Sequence, residues 1–260
     1  TNKQANKQTS TMNSSCTTSP SSSCVPSSTS SSSSSNSSTS TSFSVRATPV
    51  KSVSPVVAIS EATRIIIKRR TYKTYVNSTD LPAHLDLSSC RDLLDVSALG
   101  LVEYLDLYGC SKVTDVSALG GVNILNLCHC SSVVDVSALG TVRVLNLSSC
   151  SRVTDVSALG PVEHLNLSYC PNITDISALG GQERLNLSHC IGVGDVSALG
   201  AVKYLDLSYC PRVTDVSALG AQETLNLSYS RGVTDVSSLG AVEDLNLSGC
   251  TRLVNVSALG

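Results

Sequence analysis

From Leu81 onward the chain repeats a single pattern of apolar and polar positions every twenty residues. In the copy from Ala201 to Gly220 the apolar positions are Val202, Leu205, Leu207, Cys210, Val213, Val216 and Leu219. The Leu205-x-Leu207 pair has the period of two expected of a strand, which sends both leucines inward and leaves Lys203, Tyr204, Asp206, Ser208 and Tyr209 on the opposite face or its edges. Because the same strand recurs in the same direction, the copies are expected to stack as one parallel sheet with a spacing of about 4.8 Å. The second half of the unit, with Asp215 before a Val-Ser-Ala-Leu run and Gly220 after it, has room for one turn of helix, more readily 3₁₀ than α.

Such a period predicts a solenoid, in which each unit buries its apolar side only against its neighbours. Nine units fill residues 81–260. The expected fold is an α/β-class solenoid with a parallel concave sheet, short 3₁₀ or irregular convex arms, and shallow curvature. Val202, Leu205, Leu207 and Cys210 form an L-x-x-L-x-L-x-x-C/N pattern that resembles the leucine-rich repeat family. The Cys210-to-Asp215 segment is similar to the cysteine-containing subclass found in F-box substrate receptors. The Asp-Val-Ser-Ala-Leu return is similar instead to the short repeats of phosphatase-regulator and internalin-like proteins. The resemblance implies a protein-binding platform, although the unit is shorter than the usual cysteine-containing repeat and residues 1–80 hold nothing that reads as an F-box.

Composition divides the chain. Residues 1–80 carry nine Lys and Arg against two acidic residues, and the repeats carry nine against eighteen. The Ser/Thr-rich stretch 1–60, with a serine run from Ser30 to Ser35, has too few apolar residues to form a core and is expected to be a disordered tail or linker. Asn13 and Asn36 lie in glycosylation sequons there. Residues 61–80, with Ile65 to Ile67 followed by Lys68, Arg69 and Arg70, read as an N-terminal cap on the first repeat, the basic run reading alternatively as a localisation signal or an anion-binding patch. The last unit ends without a polar cap, so Leu245, Leu247, Leu253 and Leu259 are expected to be partly uncovered, as in a fragment or an end covered by another chain. No apolar run reaches the roughly 18 residues of a membrane-spanning helix.

Three columns follow from the register. Cysteines recur at 90, 110, 130, 150, 170, 190, 210 and 250, with Ser230 as the exception. Parallel stacking keeps their Cβ atoms near 4.8 Å, beyond the roughly 3.5–4.5 Å that a disulfide prefers, so they are expected to pack as small apolar thiols in a reducing compartment, the cytoplasm. Asp95, Asp115, Asp135, Asp155, Asp175, Asp195, Asp215 and Asp235, ending in Asn255, are expected to cap the return arms rather than to hold calcium. Asp86, Asp106, Asn126, Asn146, Asn166, Asn186, Asp206, Asn226 and Asn246 are expected to form a ladder of mutually hydrogen-bonded side chains.

No catalytic, cofactor or metal-ligating set is expected. The four histidines fall in two strand columns without a nucleophile and base at workable spacing, and Cys128-His129-Cys130 lacks a paired C-x-x-C. The negative repeats argue against nucleic acid, and no small-molecule substrate is indicated. What varies between units is the candidate interface. His164, Tyr169, Arg184, His189, Tyr204, Tyr209 and Tyr229 gather in repeats five to eight, with Tyr104 and Tyr108 in repeat two, and Tyr and Arg are enriched at binding hot spots. The expected function is therefore a non-enzymatic protein-interaction scaffold. The alternatives are the substrate-recognition arm of an F-box-type ubiquitin ligase and a secreted or surface adhesion module.

Overall fold

The structure, a computed structural model, describes residues 81–259. The expected tail at 1–60, the cap at 61–80 and the sequons at Asn13 and Asn36 lie outside the described residues. Nine three-residue strands recur at the L-x-L sites: β1 (His84–Asp86), β2 (Tyr104–Asp106), β3 (Ile124–Asn126), β4 (Val144–Asn146), β5 (His164–Asn166), β6 (Arg184–Asn186), β7 (Tyr204–Asp206), β8 (Thr224–Asn226) and β9 (Asp244–Asn246). They form one parallel sheet in sequence order, each strand paired with the residues twenty positions on, as in Leu145↔Leu165. In β1 to β8 the middle leucine is buried and its two neighbours are the more exposed, the alternation that the pleat requires.

The core is a stack of identical layers. In the fourth repeat Leu145, Leu147, Cys150, Val153, Val156 and Leu159 are all buried, and the same set recurs in the repeats on either side. Each return arm is short. Seven contain a 3₁₀ turn, such as Ser117–Gly121 and Ser137–Thr141, and no α-helix occurs among the described residues. The arms after Asp175 and Asp215 are plain turns instead. Both lead into a buried glutamine, Gln182 or Gln222, where most repeats have valine. Gln182 Nε2 donates to the carbonyls of Leu159 and Gly160, and Gln222 Nε2 to those of Leu199 and Gly200. These side chains tie the glutamine to the preceding turn.

Two columns work differently from expectation. Asp95 and its equivalents do not occupy the N-cap, which is a valine with no side-chain cap bond. The carboxylate acts one residue earlier, accepting the backbone N–H of the serine two residues on at 2.9–3.0 Å. The aspartate therefore shapes entry to the turn. The Asp/Asn column on the sheet is not a ladder of amides either. Every member accepts the N–H of its own residue two positions on, at 2.8–3.1 Å. A single bond between members, from Asn126 Nδ2 to Asp106 Oδ1, runs along the column among the described residues. The local acceptor explains why Asp and Asn interchange, since both offer the same oxygen.

The aspartate column at the turn entries makes stability pH-dependent. Hydrogen bonds from Ser137, Ser157 and Ser177 hold Asp135, Asp155 and Asp175 below their ordinary value of 3.8. A depressed folded value contributes stability that is present above pH 3.8 and is lost as pH falls through the lowered values. Acid titration followed by circular dichroism should show unfolding begin below about pH 4. Changing Asp135, Asp155 and Asp175 together to Asn should flatten that limb while keeping the acceptor, because Asn255 already accepts Ser257 N–H in the same way. An unchanged acid limb would remove the column from the account.

Candidate interaction surface

The residue after each strand's Asx turn lies in the left-handed region. Ser89, His129, Ser149, Tyr169, His189, Tyr209 and Tyr229 have φ of 58–61°, and glycine fills the same place at 109 and 249. A side chain there costs roughly 1 kcal/mol or more relative to ordinary backbone. Two hydrogen bonds offset it in each repeat. Asn166 Oδ1 accepts Ser168 N–H, and Tyr169 N–H reaches across to Ser188 O at 2.9 Å. The turn takes these side chains out of the strand's alternation and projects them in a row.

Four consecutive copies carry rings. Tyr169 stacks on His189 at 4.2 Å, His189 on Tyr209 at 4.3 Å and Tyr209 on Tyr229 at 4.7 Å, all within 11° of parallel. The spacing is that of the strands beneath, so the sheet itself sets the stack. Burial, partly opposed by Asp206, holds His189 below its ordinary 6.5, which keeps the imidazole neutral between its tyrosines at neutral pH. The column ends on Gly249, where an added Cβ would fall 2.6 Å from the Tyr229 ring. The tyrosines stay open to solvent, at 54% for Tyr169, 42% for Tyr209 and 44% for Tyr229.

Of the other candidates, Tyr104, His164, Arg184 and Tyr204 belong to a second column, on the strands, and Tyr108 lies just beyond β2. Tyr104 stacks on His84 at 5.6 Å. The Arg184 guanidinium lies 3.7 Å over the Tyr204 ring, and Tyr204 Oη donates to Glu223 Oε2, a bond that raises the phenol's pKa. His164 sits apart from the rings, its Nε2 3.6 Å from a carboxylate oxygen of both Glu163 and Glu183. Tyr108 makes an edge-to-face contact with His129 at 5.5 Å in an earlier part of the sheet. The nine candidates thus form one continuous ring stack and one Arg–Tyr pair, with His164, Tyr104 and Tyr108 in separate contacts elsewhere on the sheet. Sequence reasoning missed Glu163 and Glu183, which complete a His-Glu-Glu group whose donor atoms lie within 4.8 Å of one another. The signal was available as acidic residues twenty apart beside a strand histidine.

The cysteine column also carries more than packing. From Cys110 onward each thiol of the column donates to the carbonyl of the residue 23 positions earlier, as in Cys130 to Leu107 at 3.1 Å and Cys150 to Leu127 at 3.1 Å. Ser230 makes the same bond to Leu207 at 2.6 Å, so the position selects a small donor rather than a purely apolar group. No disulfide links the described cysteines.

With the paired leucines of the first eight units buried in register on one parallel sheet, the architecture is decided. The chain is a leucine-rich-repeat solenoid. No known family profile and no curated protein matches its sequence. Among solved structures it is similar to leucine-rich-repeat proteins of Listeria monocytogenes. An internalin, InlF, aligns at 14% identity with a TM-score of 0.46, over 76% of this chain and 78% of that one. Internalin C2 aligns at 18% identity and 0.46, over 77% and 88%. The functional domain of InlJ, described as including a cysteine ladder, aligns at 20% and 0.38, over 63% of this chain and 45% of its own length.

Proposed function

We propose that the chain is a non-enzymatic protein-interaction scaffold whose partner lies across the ring stack and the adjoining sheet of repeats five to eight. The observation that carries this reading is the exposed Tyr169–His189–Tyr209–Tyr229 column. Rings already fixed by their neighbours lose little side-chain freedom when a partner covers them, and they offer wide apolar faces with phenol donors at the rim. Arg184 on Tyr204 extends the surface with a preorganised cation. The partner supported best presents an extended, aromatic or aliphatic ridge with acidic groups placed against Arg184. We place the protein in the cytoplasm, on the support of a thiol column whose members are hydrogen-bonded as thiols.

Affinity capture from the native source, quantified by mass spectrometry, should compare wild type with Tyr169→Ala, Tyr209→Ala and Tyr229→Ala combined. Loss of a few hot-spot rings typically weakens binding by about 100-fold or more, so specific partners should disappear from the variant. Circular dichroism confirms that the exposed substitutions leave the fold intact. Retention of every partner would sink the assignment of this surface.

A further inference from the structure

We infer that Glu163, His164 and Glu183 form a binding site for one divalent transition-metal cation of the zinc class on the outer face of the sheet. The inference stands apart from the ring stack and does not depend on it. Register brings the group together: Glu183 N–H donates to Glu163 O at 3.0 Å, so two carboxylates emerge side by side from adjacent strand entries. Like charges in that relation are unfavourable unless a cation lies between them.

The geometry fits an ion better than it fits a closed hydrogen-bond network. His164 Nε2 is 3.6 Å from Glu163 Oε1 and 3.6 Å from Glu183 Oε2, longer than a hydrogen bond to either. Two donors each about 2.0–2.1 Å from a tetrahedral ion stand roughly 3.3 Å apart, close to the separations found here. Of the two neighbouring arginines, one is engaged elsewhere and the other meets only Oε2 of Glu163. Arg184, the residue paired with His164 on the next strand, places its guanidinium over Tyr204. Arg143 approaches the other oxygen of Glu163, Oε2, at 3.4 Å, which orients that carboxylate and leaves Oε1 toward the histidine.

Donor chemistry selects the class of ion. Two carboxylates alone would suit calcium or magnesium, whereas an imidazole beside them favours zinc and its transition-metal neighbours. All three side chains are half-buried, and three protein ligands leave a fourth position for water or for a side chain from another molecule. A protonated histidine bridging both carboxylates is the competing arrangement, and it needs no metal.

Calorimetric titration of the full chain with zinc chloride, in a non-thiol reductant at pH about 7.5 where an ordinary imidazole is neutral, separates the two. The expected result is one ion per chain in the micromolar range. His164→Ala and Glu183→Gln should each weaken binding at least about tenfold, while His84→Ala should leave it unchanged. Cobalt substitution supplies a second readout: visible d–d bands without a thiolate charge-transfer band are expected of these donors. Absence of binding up to about 1 mM, equal binding by the His164→Ala, Glu183→Gln double variant, or a thiolate band would each overturn the site.

Discussion

Replacing Leu145 with alanine will lower the unfolding free energy by about 2–5 kcal/mol, whereas the equivalent change at Leu245 will cost on the order of 1 kcal/mol. The two leucines occupy the same position in their repeats, yet Leu145 is fully enclosed by layers on both sides and Leu245 is only partly buried. In a solenoid each layer is held by its two neighbours, so a cavity in the fourth repeat weakens two interfaces at once and cannot be relieved by movement of a free end. Urea denaturation of the two variants measures the difference. A similar loss at both sites would show that the repeat's own leucines, rather than contact between layers, set the stability. The midpoint slope carries a second reading. If Leu145→Ala divides the stack into separately melting halves, the apparent m-value will fall as well as the midpoint, because cooperativity then no longer runs through the fourth layer.

The leucine core and the parallel register were legible because both follow from one period: a strand of two inward leucines, recurring every twenty residues, has no other place to bury them. Polar columns were less legible. A recurring Asn on a sheet is compatible with an amide ladder and with an Asx turn, and only the position of the next N–H distinguishes them. At 166 and at eight equivalent sites it is the local bond that forms. The left-handed turn was invisible for a related reason, since Tyr169, Tyr209 and Tyr229 are of a type that rarely takes positive φ, and glycine marks the position in only two repeats. That turn is what separates Tyr209 from Tyr204, which the sequence places on one surface. Variable positions did point to the aromatic residues, but spacing alone could not tell stacked rings from rings in different columns. Glu163 and Glu183 escaped notice because an exposed acidic residue reads as solubility until its neighbour across the strand is known. Gln182 and Gln222 were equally hidden: their sequence position is that of a core valine, and each is held there by bonds to the turn of the preceding repeat.

The thiol column should resist alkylation by a wide margin in the folded protein. Burial pushes the thiols of Cys130, Cys170 and Cys210 up to about 12 and that of Cys190 to about 11, and raises Cys150 further. At pH about 8 roughly a quarter of an ordinary thiol is ionised, against about one part in ten thousand at a pKa of 12. The scarcer thiolate is intrinsically more nucleophilic, by roughly 25–60-fold for that shift, so the net slowing is about 40–100-fold before any steric exclusion is counted. Peptide-resolved mass spectrometry after a timed iodoacetamide pulse should therefore find Cys130, Cys170 and Cys210 unmodified in native protein and fully modified in guanidinium. The pH dependence has a fixed sign. A folded pKa raised above the unfolded value contributes stability that is whole below about pH 8.5 and is lost as pH climbs through the folded values of about 11 and 12. Alkaline unfolding should begin in that window and move to higher pH when Cys130, Cys170 and Cys210 are changed to Ser, which keeps a donor at each site as Ser230 does but does not ionise. Equal alkylation of native and denatured protein, or an alkaline midpoint indifferent to the serine variant, would mean that the column is open to solvent and that its hydrogen bonds to Leu107, Leu147 and Leu187 contribute nothing to the fold.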